Sequence, residues 1–372
     1  MKRSEKLMIL MTMLSAVLAV SLFLMLRQRN KADEPIVVDP TADVVDPEPE
    51  NKPDPEPISY GANIAAVDEG YDIYELPSGS GYRYGPSIMY YEDGSLDAWF
   101  ARPGNNSTHW DYISYRHCEP DGSWSDEEIV LYPTSGTMDH YSVCDPGLIY
   151  FNGYYYLGYT SANSALNGGV DNNGFVARSE NPNGPFEKWD GEGWSDDPVP
   201  IVEYDGDPEQ WGVGELSFAI KGDTLYVYYS WNDETGNYTR VATSDLSDNW
   251  PSKLEDHGVA YVHAKGEDSM DVAYIEEADI FLGVSVAFRF TQASQIVVYN
   301  SKDGIHFEEI DMIDRNITKY AHNIGISKDA LGHIRSSDRL YISYAYGYDD
   351  YSKWGRWATR FQEIKLEVYE DR

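Results

Sequence analysis

The sequence predicts an all-β fold, a five-bladed β-propeller, preceded by one N-terminal apolar helix and a disordered acidic linker. Three observations predict it. From about Tyr60 onward no convincing amphipathic helix can be drawn; short alternating or aromatic runs are broken by Gly, Asn, Asp and Pro. Tyr occurs 31 times and Trp 10 times in 372 residues, a composition that suits pleated sheets and sugar-binding surfaces better than helical bundles. Third, one order of segments recurs five times.

The recurring unit opens with a polar or small residue followed by a short apolar strand: GPSIMYY (Gly85–Tyr91), DPGLIYF (Asp145–Phe151), ELSFAIK (Glu215–Lys221), DVAYIEE (Asp271–Glu277) and NIGISKD (Asn323–Asp329). A second strand follows in each: DAWFA, YYYLGYTS, LYVYYSW, FLGVSVA and LYISYAYG. The third strands are YISYRH, FVARSE, TRVATSD, IVVYNSKD and RWATR. Outer phrases such as DGSWSDE, NPNGPFEKW and KDGIHFEEI pair a Gly-bearing turn with an aromatic that packs on the outer strand. Spacings of roughly 50 to 70 residues are those of propeller blades, each of which hides its faces only against its neighbours.

Three regions precede or make up the folded part. Residues 1–31 carry Lys2, Arg3 and Lys6, an apolar run from Leu7 to Leu26, then Arg27, Arg29 and Lys31. The run is long enough to span a bilayer and ends without a small-residue cleavage pattern, so it reads as an uncleaved signal-anchor, with a cleaved secretory signal as the alternative. Residues 32–58 alternate Pro and acid (DPEPENKPDPEP) and read as an extended stalk. Residues 59–372 are the propeller. The expected location is therefore the cell surface, with the membrane touched only through the N-terminal helix and the propeller acting as a monomer.

Charge and motif content exclude several functions. Lys and Arg number 28 against 63 Asp and Glu, a net charge of −35, which argues against duplex nucleic acid and anionic membrane surfaces. No phosphate loop, G-x-S-x-G elbow or HExxH zinc spacing is present, and no cofactor is required. Cys118 and Cys144 are too few for a metal site or a disulfide framework; they form one bridge or two buried thiols. KDGIHF is a degenerate Asp-box turn, a structural device.

The first residue of each inner strand should lie near one mouth of the central channel. Around the ring these are Gly85, Asp145, Glu215, Asp271 and Asn323. Three carboxylates then converge on one funnel. Clustering raises some pKa values, and a protonated carboxyl beside an ionised one is the pair that glycoside hydrolysis uses. Tyr84, Tyr141, Trp211 and Trp231 stand nearby as rings for stacking on sugars, or for packing between blades. His322 is placed to bond a sugar hydroxyl, to help hold an ion on the axis, or to fill a structural role; His333 is a weaker candidate.

The stretch DPGLIYFNGYYYLGYTS with NPNGPFEKW resembles the five-bladed propeller glycoside hydrolases of family 43 and its relatives, among them arabinanases, arabinofuranosidases and β-xylosidases. The resemblance spans most of Tyr82 to Arg372 as a blade pattern. It implies an Asp base in the first blade, an Asp in the second that tunes pKa and orients substrate, a Glu acid in the third, and inversion at the anomeric carbon. Asp145 and Glu215 match the second and third. Gly85 stands where the base is expected, so Asp271 is the leading substitute, with Asp139, Asp111 and Asp171 as weaker ones on loops. Whether a structural calcium ion occupies the channel is left open by the sequence. The resemblance implies a carbohydrate substrate; a glycan-binding propeller without catalysis and a glycoside phosphorylase are the alternatives.

Overall fold

The computed structural model of the chain describes residues 59–75, 82–106, 109–161, 169–347 and 355–370. The anchor (1–31) and the linker (32–58) lie outside them. Among the described residues no helix is long and apolar enough to cross a membrane. These residues form strands and a single 3-10 turn at Trp250–Lys253.

Two strands, β1 (Tyr60–Ala66) and β2 (Tyr71–Tyr74), precede the first repeat. The first blade is β3 (Tyr84–Tyr90), β4 (Leu96–Asn106), β5 (His109–Cys118) and β6 (Glu128–Leu131). The second is β7 (Cys144–Phe151), β8 (Tyr154–Ser161), β9 (Asn173–Ser179), β10 (Glu187–Trp189) and β11 (Trp194–Ser195). The third is β12 (Gly212–Lys221), β13 (Thr224–Asp233), β14 (Gly236–Ser244) and β15 (Glu255–His263). The fourth is β16 (Asp271–Ile275), β17 (Ile280–Ala287), β18 (Gln295–Ser301) and β19 (Glu308–Ile313). The fifth holds β20 (Ala321–Lys328), β21 (Leu340–Tyr346) and β22 (Ala358–Glu370). Within each blade successive strands pair antiparallel, as the repeat predicts.

The fourth strand of the last blade comes from the other end of the domain. β1 pairs antiparallel with β22, from Tyr60↔Glu370 to Ala66↔Ile364. The repeats alone do not name this strand. The ring is also sealed at the hub, where β20 runs parallel to β3 through Ser327↔Ile88 and Lys328↔Met89.

Apolar side chains fill every seam between blades. Met89, Trp99 and Ile113 pack with Leu148, Leu157 and Phe175 between the first two. Ile149 and Val176 meet Phe218 and Val227 at the next seam. Tyr228 and Val241 meet Val272 and Phe281; Leu282 and Val298 meet Ile326, Ile342 and Ile64. Ile88 and Phe100 meet Phe361 at the closing seam. The outer phrases behave as the sequence suggests: Phe186 and Phe307 are buried, and Asp303 Oδ1 accepts the N–H groups of Ile305 and His306 at 2.8 Å. Cys118 and Cys144 are both free, buried thiols, so the single possible bridge is not formed.

At the hub each inner strand touches the next through one repeated place. Ser87 Oγ accepts the Leu148 N–H at 3.0 Å. Ser217 Oγ accepts that of Val272 at 2.9 Å, and Asp271 Oδ2 that of Ile326 at 2.8 Å. Gly147 and Gly325 take this place in the other two blades. A Cβ on Gly147 would lie 1.8 Å from the Leu216 carbonyl oxygen, so only glycine allows the backbones to approach there.

Strand β1 makes a direct test of ring closure. A chain beginning at residue 59 should unfold in one cooperative step. A chain beginning at 68 exposes the β22 edge and loses the buried Ile64, lowering the unfolding free energy by about 3 kcal/mol or more; urea titration of the two chains measures the difference.

Candidate active site

Four of the five inner strands start in the same unusual conformation. Gly85, Asp145, Glu215 and Asn323 have φ of 56, 49, 50 and 42°, in the left-handed region. At each one the pairing with the second strand of the blade slips, at Tyr84/Ser87, Cys144/Gly147, Gly214/Ser217 and His322/Ile324. Such a bulge turns the side chain out of the sheet and into the hub. Asp145, Glu215 and Asn323 therefore line one pocket with Gly85, Ser269 and Met270.

The fourth blade departs from the expected register. Asp271 pairs with Val284 in an unbroken ladder. By its bond to Ile326 it occupies the place of Ser87 and Ser217, two residues past the left-handed position, which falls to Ser269. Asp271 reaches the same pocket, but its oxygens are committed. Oδ1 accepts Lys328 Nζ at 2.7 Å and Ser217 Oγ at 2.6 Å. Lys328 also donates to the Val272 carbonyl at 3.1 Å and is 3 % exposed. Asp271 is thus bound by a buried ammonium, a hydroxyl and a backbone amide as a tie between strands, and the role of substitute base is withdrawn from it.

The same pair bears on a channel cation. The Lys328 ammonium already supplies positive charge beside Asp271, and among the described residues no group of three or more His, Cys, Asp or Glu could hold a metal ion. The residues present do not fit a channel calcium ion.

Asp145 and Glu215 face each other from adjacent blades. Thr160 joins them: its Oγ1 accepts the Glu215 N–H at 2.9 Å and its hydroxyl lies against the Asp145 carboxyl. Ser230 donates to Glu215 Oε2 at 2.6 Å, and Asn323 Nδ2 donates to Oε1. Burial pushes the Glu215 carboxyl up, while Ser230 and the Arg289 charge pull against it. Asp145 is driven well above the carboxylate range, by burial first and by the Glu215 charge second. Its Oδ1 is buried and receives no hydrogen bond among the described residues.

Gly85 is answered in space. A Cβ there would lie 3.0 Å from Asp145 Oδ1 and 3.1 Å from Asp145 Cα. The Asp145 carboxyl thus borders the volume that a first-blade acid would enter. The first blade does contribute a carboxylate from its third strand. Asp111 is buried, accepts Tyr82 Oη at 2.5 Å and Tyr84 Oη at 3.3 Å, and is pushed up to about 6 by burial. It lies behind Tyr84 rather than on the pocket wall. Asp139 is a structural acid bound by Lys188 and Tyr159, and Asp171 lies in the loop entering β9, outside the pocket lining.

The predicted aromatic residues divide. Trp211 is half-buried, with its ring over Gly214, one residue before Glu215. Trp231 is built into the blade core against Tyr204 and Arg240. Tyr84 and Tyr141 are 5 % and 4 % exposed; Tyr84 holds Asp111, and Tyr141 packs edge-on against Trp110. The stacking role is withdrawn from these three. His322 is enclosed by Trp357, Phe290 and Tyr84 at ring distances of 4.1, 4.5 and 5.9 Å, and burial keeps it neutral. His333 bonds the Ile220 carbonyl within the core.

Thr160, Ser230 and Arg289 are the residues that sequence reasoning passed over; Asp111, expected on a loop, lies within β5. Thr160 and Ser230 had a signal. They hold the same place in consecutive second strands, opposite the residues before Asp145 and Glu215.

Two measurements test these assignments. Asp271→Ala strands the Lys328 charge and should cost about 3–5 kcal/mol in urea unfolding, while adding Lys328→Met restores most of it. Asp111 has a folded pKa above its unfolded one, so its contribution is full at low pH and is lost as pH rises through about 6. Asp111→Asn should therefore remove about 3 kcal/mol of the fall in stability between about pH 4 and 6, read from denaturation at a series of pH values.

No family model matches the chain, and no curated protein does. Solved structures do. A family 117 glycoside hydrolase from the marine bacterium Zobellia galactanivorans matches with a TM-score of 0.58 at 16 % identity, over 83 % of this chain and 91 % of that one. The α-L-arabinofuranosidase of Podospora anserina, solved with cellotriose, matches at 0.55 and 11 %, over 81 % and 98 %. The endo-arabinase of Bacteroides thetaiotaomicron matches at 0.53 and 15 %, over 79 % and 98 %. At these identities the likeness is one of fold: the chain has the architecture of the five-bladed propeller glycoside hydrolases.

Proposed function

We propose that the protein is a glycoside hydrolase that cleaves arabinofuranoside- or xyloside-type bonds in oligo- or polysaccharides, with Asp145 and Glu215 as its acting pair. One observation supports this above the others. Two carboxyls from adjacent blades, joined through Thr160, share a pocket in which burial and mutual repulsion disfavour two negative charges. A pair that holds one proton between two carboxyls meets the requirement of glycosidic cleavage. Pro86, Pro146 and Met270 give the pocket apolar wall, and Trp211 offers a ring beside Glu215 for a sugar face. In this reading residues 1–31 anchor the protein, residues 32–58 hold it off the surface, and the propeller works outside the cell as a monomer.

Gly85 favours a second reading, a glycan-binding propeller without catalysis, because no first-blade acid projects from that place. A screen of chromogenic arabinofuranosides and xylosides, run beside arabinan and xylan oligosaccharides, separates the two. The hydrolase reading expects product from the unmodified protein and a loss of about 10²–10⁴-fold in Glu215→Gln at unchanged circular dichroism and melting temperature. Glycan retention without product at any pH supports the binding module instead.

A further inference from the structure

The two pocket carboxyls are not equivalent, and their surroundings divide the labour between them. Both oxygens of Glu215 accept hydrogen bonds, Oε2 from the Ser230 hydroxyl and Oε1 from the Asn323 amide. Ser269 lies within hydrogen-bonding reach of the same carboxyl, and the Arg289 charge acts on it. These are donors and a cation, which favour an ionised group. Asp145 is met differently. Its neighbours on the polar side are the Thr160 hydroxyl and the Cys144 thiol; the charges and acids facing it are Glu215 and Asp111, with the Tyr84 phenol beside them. Oδ1 is buried without a donor, turned toward the space above Gly85. An unpartnered carboxylate oxygen is costly there, whereas a carboxylic O–H is a donor waiting for an acceptor.

We infer that Asp145 carries the shared proton and is the general acid, while Glu215 remains ionised and is the general base. This rests on the hydrolase reading above, and it departs from the resemblance, which implies Glu215 as the acid and Asp145 as the residue that tunes pKa and orients substrate. In the step that follows, the Asp145 O–H gives its proton to the glycosidic oxygen as the bond from that oxygen to the anomeric carbon breaks, and the electron pair leaves with the departing alcohol. Glu215 takes a proton from the water whose oxygen bonds the anomeric carbon. Transfer of that proton through solvent to Asp145 resets the site. Gly85 has a part in this: a side chain at that position would crowd Oδ1 and close the approach to it.

The roles are read from leaving-group dependence. A missing general acid is tolerated when the leaving group departs unaided; a missing base is not. Asp145→Asn is a suitable variant because Asn accepts the left-handed backbone. It should hydrolyse a dinitrophenyl glycoside within about tenfold of the unmodified protein and an alkyl glycoside about 10²–10⁴-fold more slowly. Glu215→Gln should lose turnover on both. The reverse pattern, with Glu215→Gln sparing the activated substrate, overturns the assignment and leaves the hydrolase reading intact. Infrared spectra at neutral pH read the proton without any substrate. The band of a protonated carboxyl should vanish in Asp145→Asn and persist in Glu215→Gln, and its loss in Glu215→Gln alone overturns the inference. Absence of turnover by the unmodified protein on every glycoside overturns the hydrolase reading and the catalytic roles with it, while the infrared result still reports where the proton resides.

Discussion

A side-chain oxygen on one inner strand holding the backbone N–H of the next is the contact on which the site depends. Ser87, Ser217 and Asp271 make it toward Leu148, Val272 and Ile326. It fixes how far each inner strand slides past its neighbour, and so how far the residue two places earlier projects into the hub. Where the next backbone must come closer than a side chain allows, Gly147 and Gly325 replace it. The apolar seams supply most of the burial, but they do not set this offset; a leucine packs about as well half a residue away, whereas a hydrogen bond does not. Lys328, at the end of β20, binds two other strands at once, touching Ser217 on β12 and Asp271 and the carbonyl of Val272 on β16.

In four blades the residue two places before that contact turns inward through a left-handed bulge, at a cost of about 1–3 kcal/mol for a residue other than Gly, Asn or Asp; the fourth blade makes the contact at Asp271 without one. Glu215 bears this cost. A Glu in that conformation is held in place by the bonds of Ser230 and Asn323 to its oxygens and not by its backbone preference. Asp145 and Asn323 tolerate the conformation better, and Gly85 tolerates it freely.

The five repeats and the convergence of Asp145 and Glu215 were legible in the sequence because each rests on local pattern: alternation, turn residues, and an acid at the head of an apolar run. The closing strand β1 was not, since it pairs with residues some 300 positions away and carries no mark of its partner. Asp271 was misplaced by two residues for a related reason. In DVAYIEE the acid heads the run as it does in DPGLIYF, but the inner strand of the fourth blade pairs without a bulge, and only the bond to Ile326 reveals the offset. Asp111 looked like a loop acid because HWDYISY hides it within a strand whose alternation is masked by aromatic residues. Trp231 and Tyr141 looked like sugar platforms because composition does not distinguish a ring that faces a pocket from one that fills a seam.

On the proposed function, charge narrows the class of sugar. The chain carries −35 overall, and the two cations nearest the pocket are engaged: Lys328 with Asp271, and Arg289 with Asp268. A uronate or a phosphate entering between Asp145 and Glu215 would bring a further negative charge to a place where burial already opposes two, and would meet hydroxyls and an amide in place of an arginine fork. That weighs against a phosphorylase, which must hold phosphate beside the anomeric carbon, and against acidic sugars at the cleavage point. On the proposed function, a neutral pentose meets the same surroundings without such opposition. On that reading the acidity of the domain opposes anionic ligands whatever the shape of the loops around the pocket.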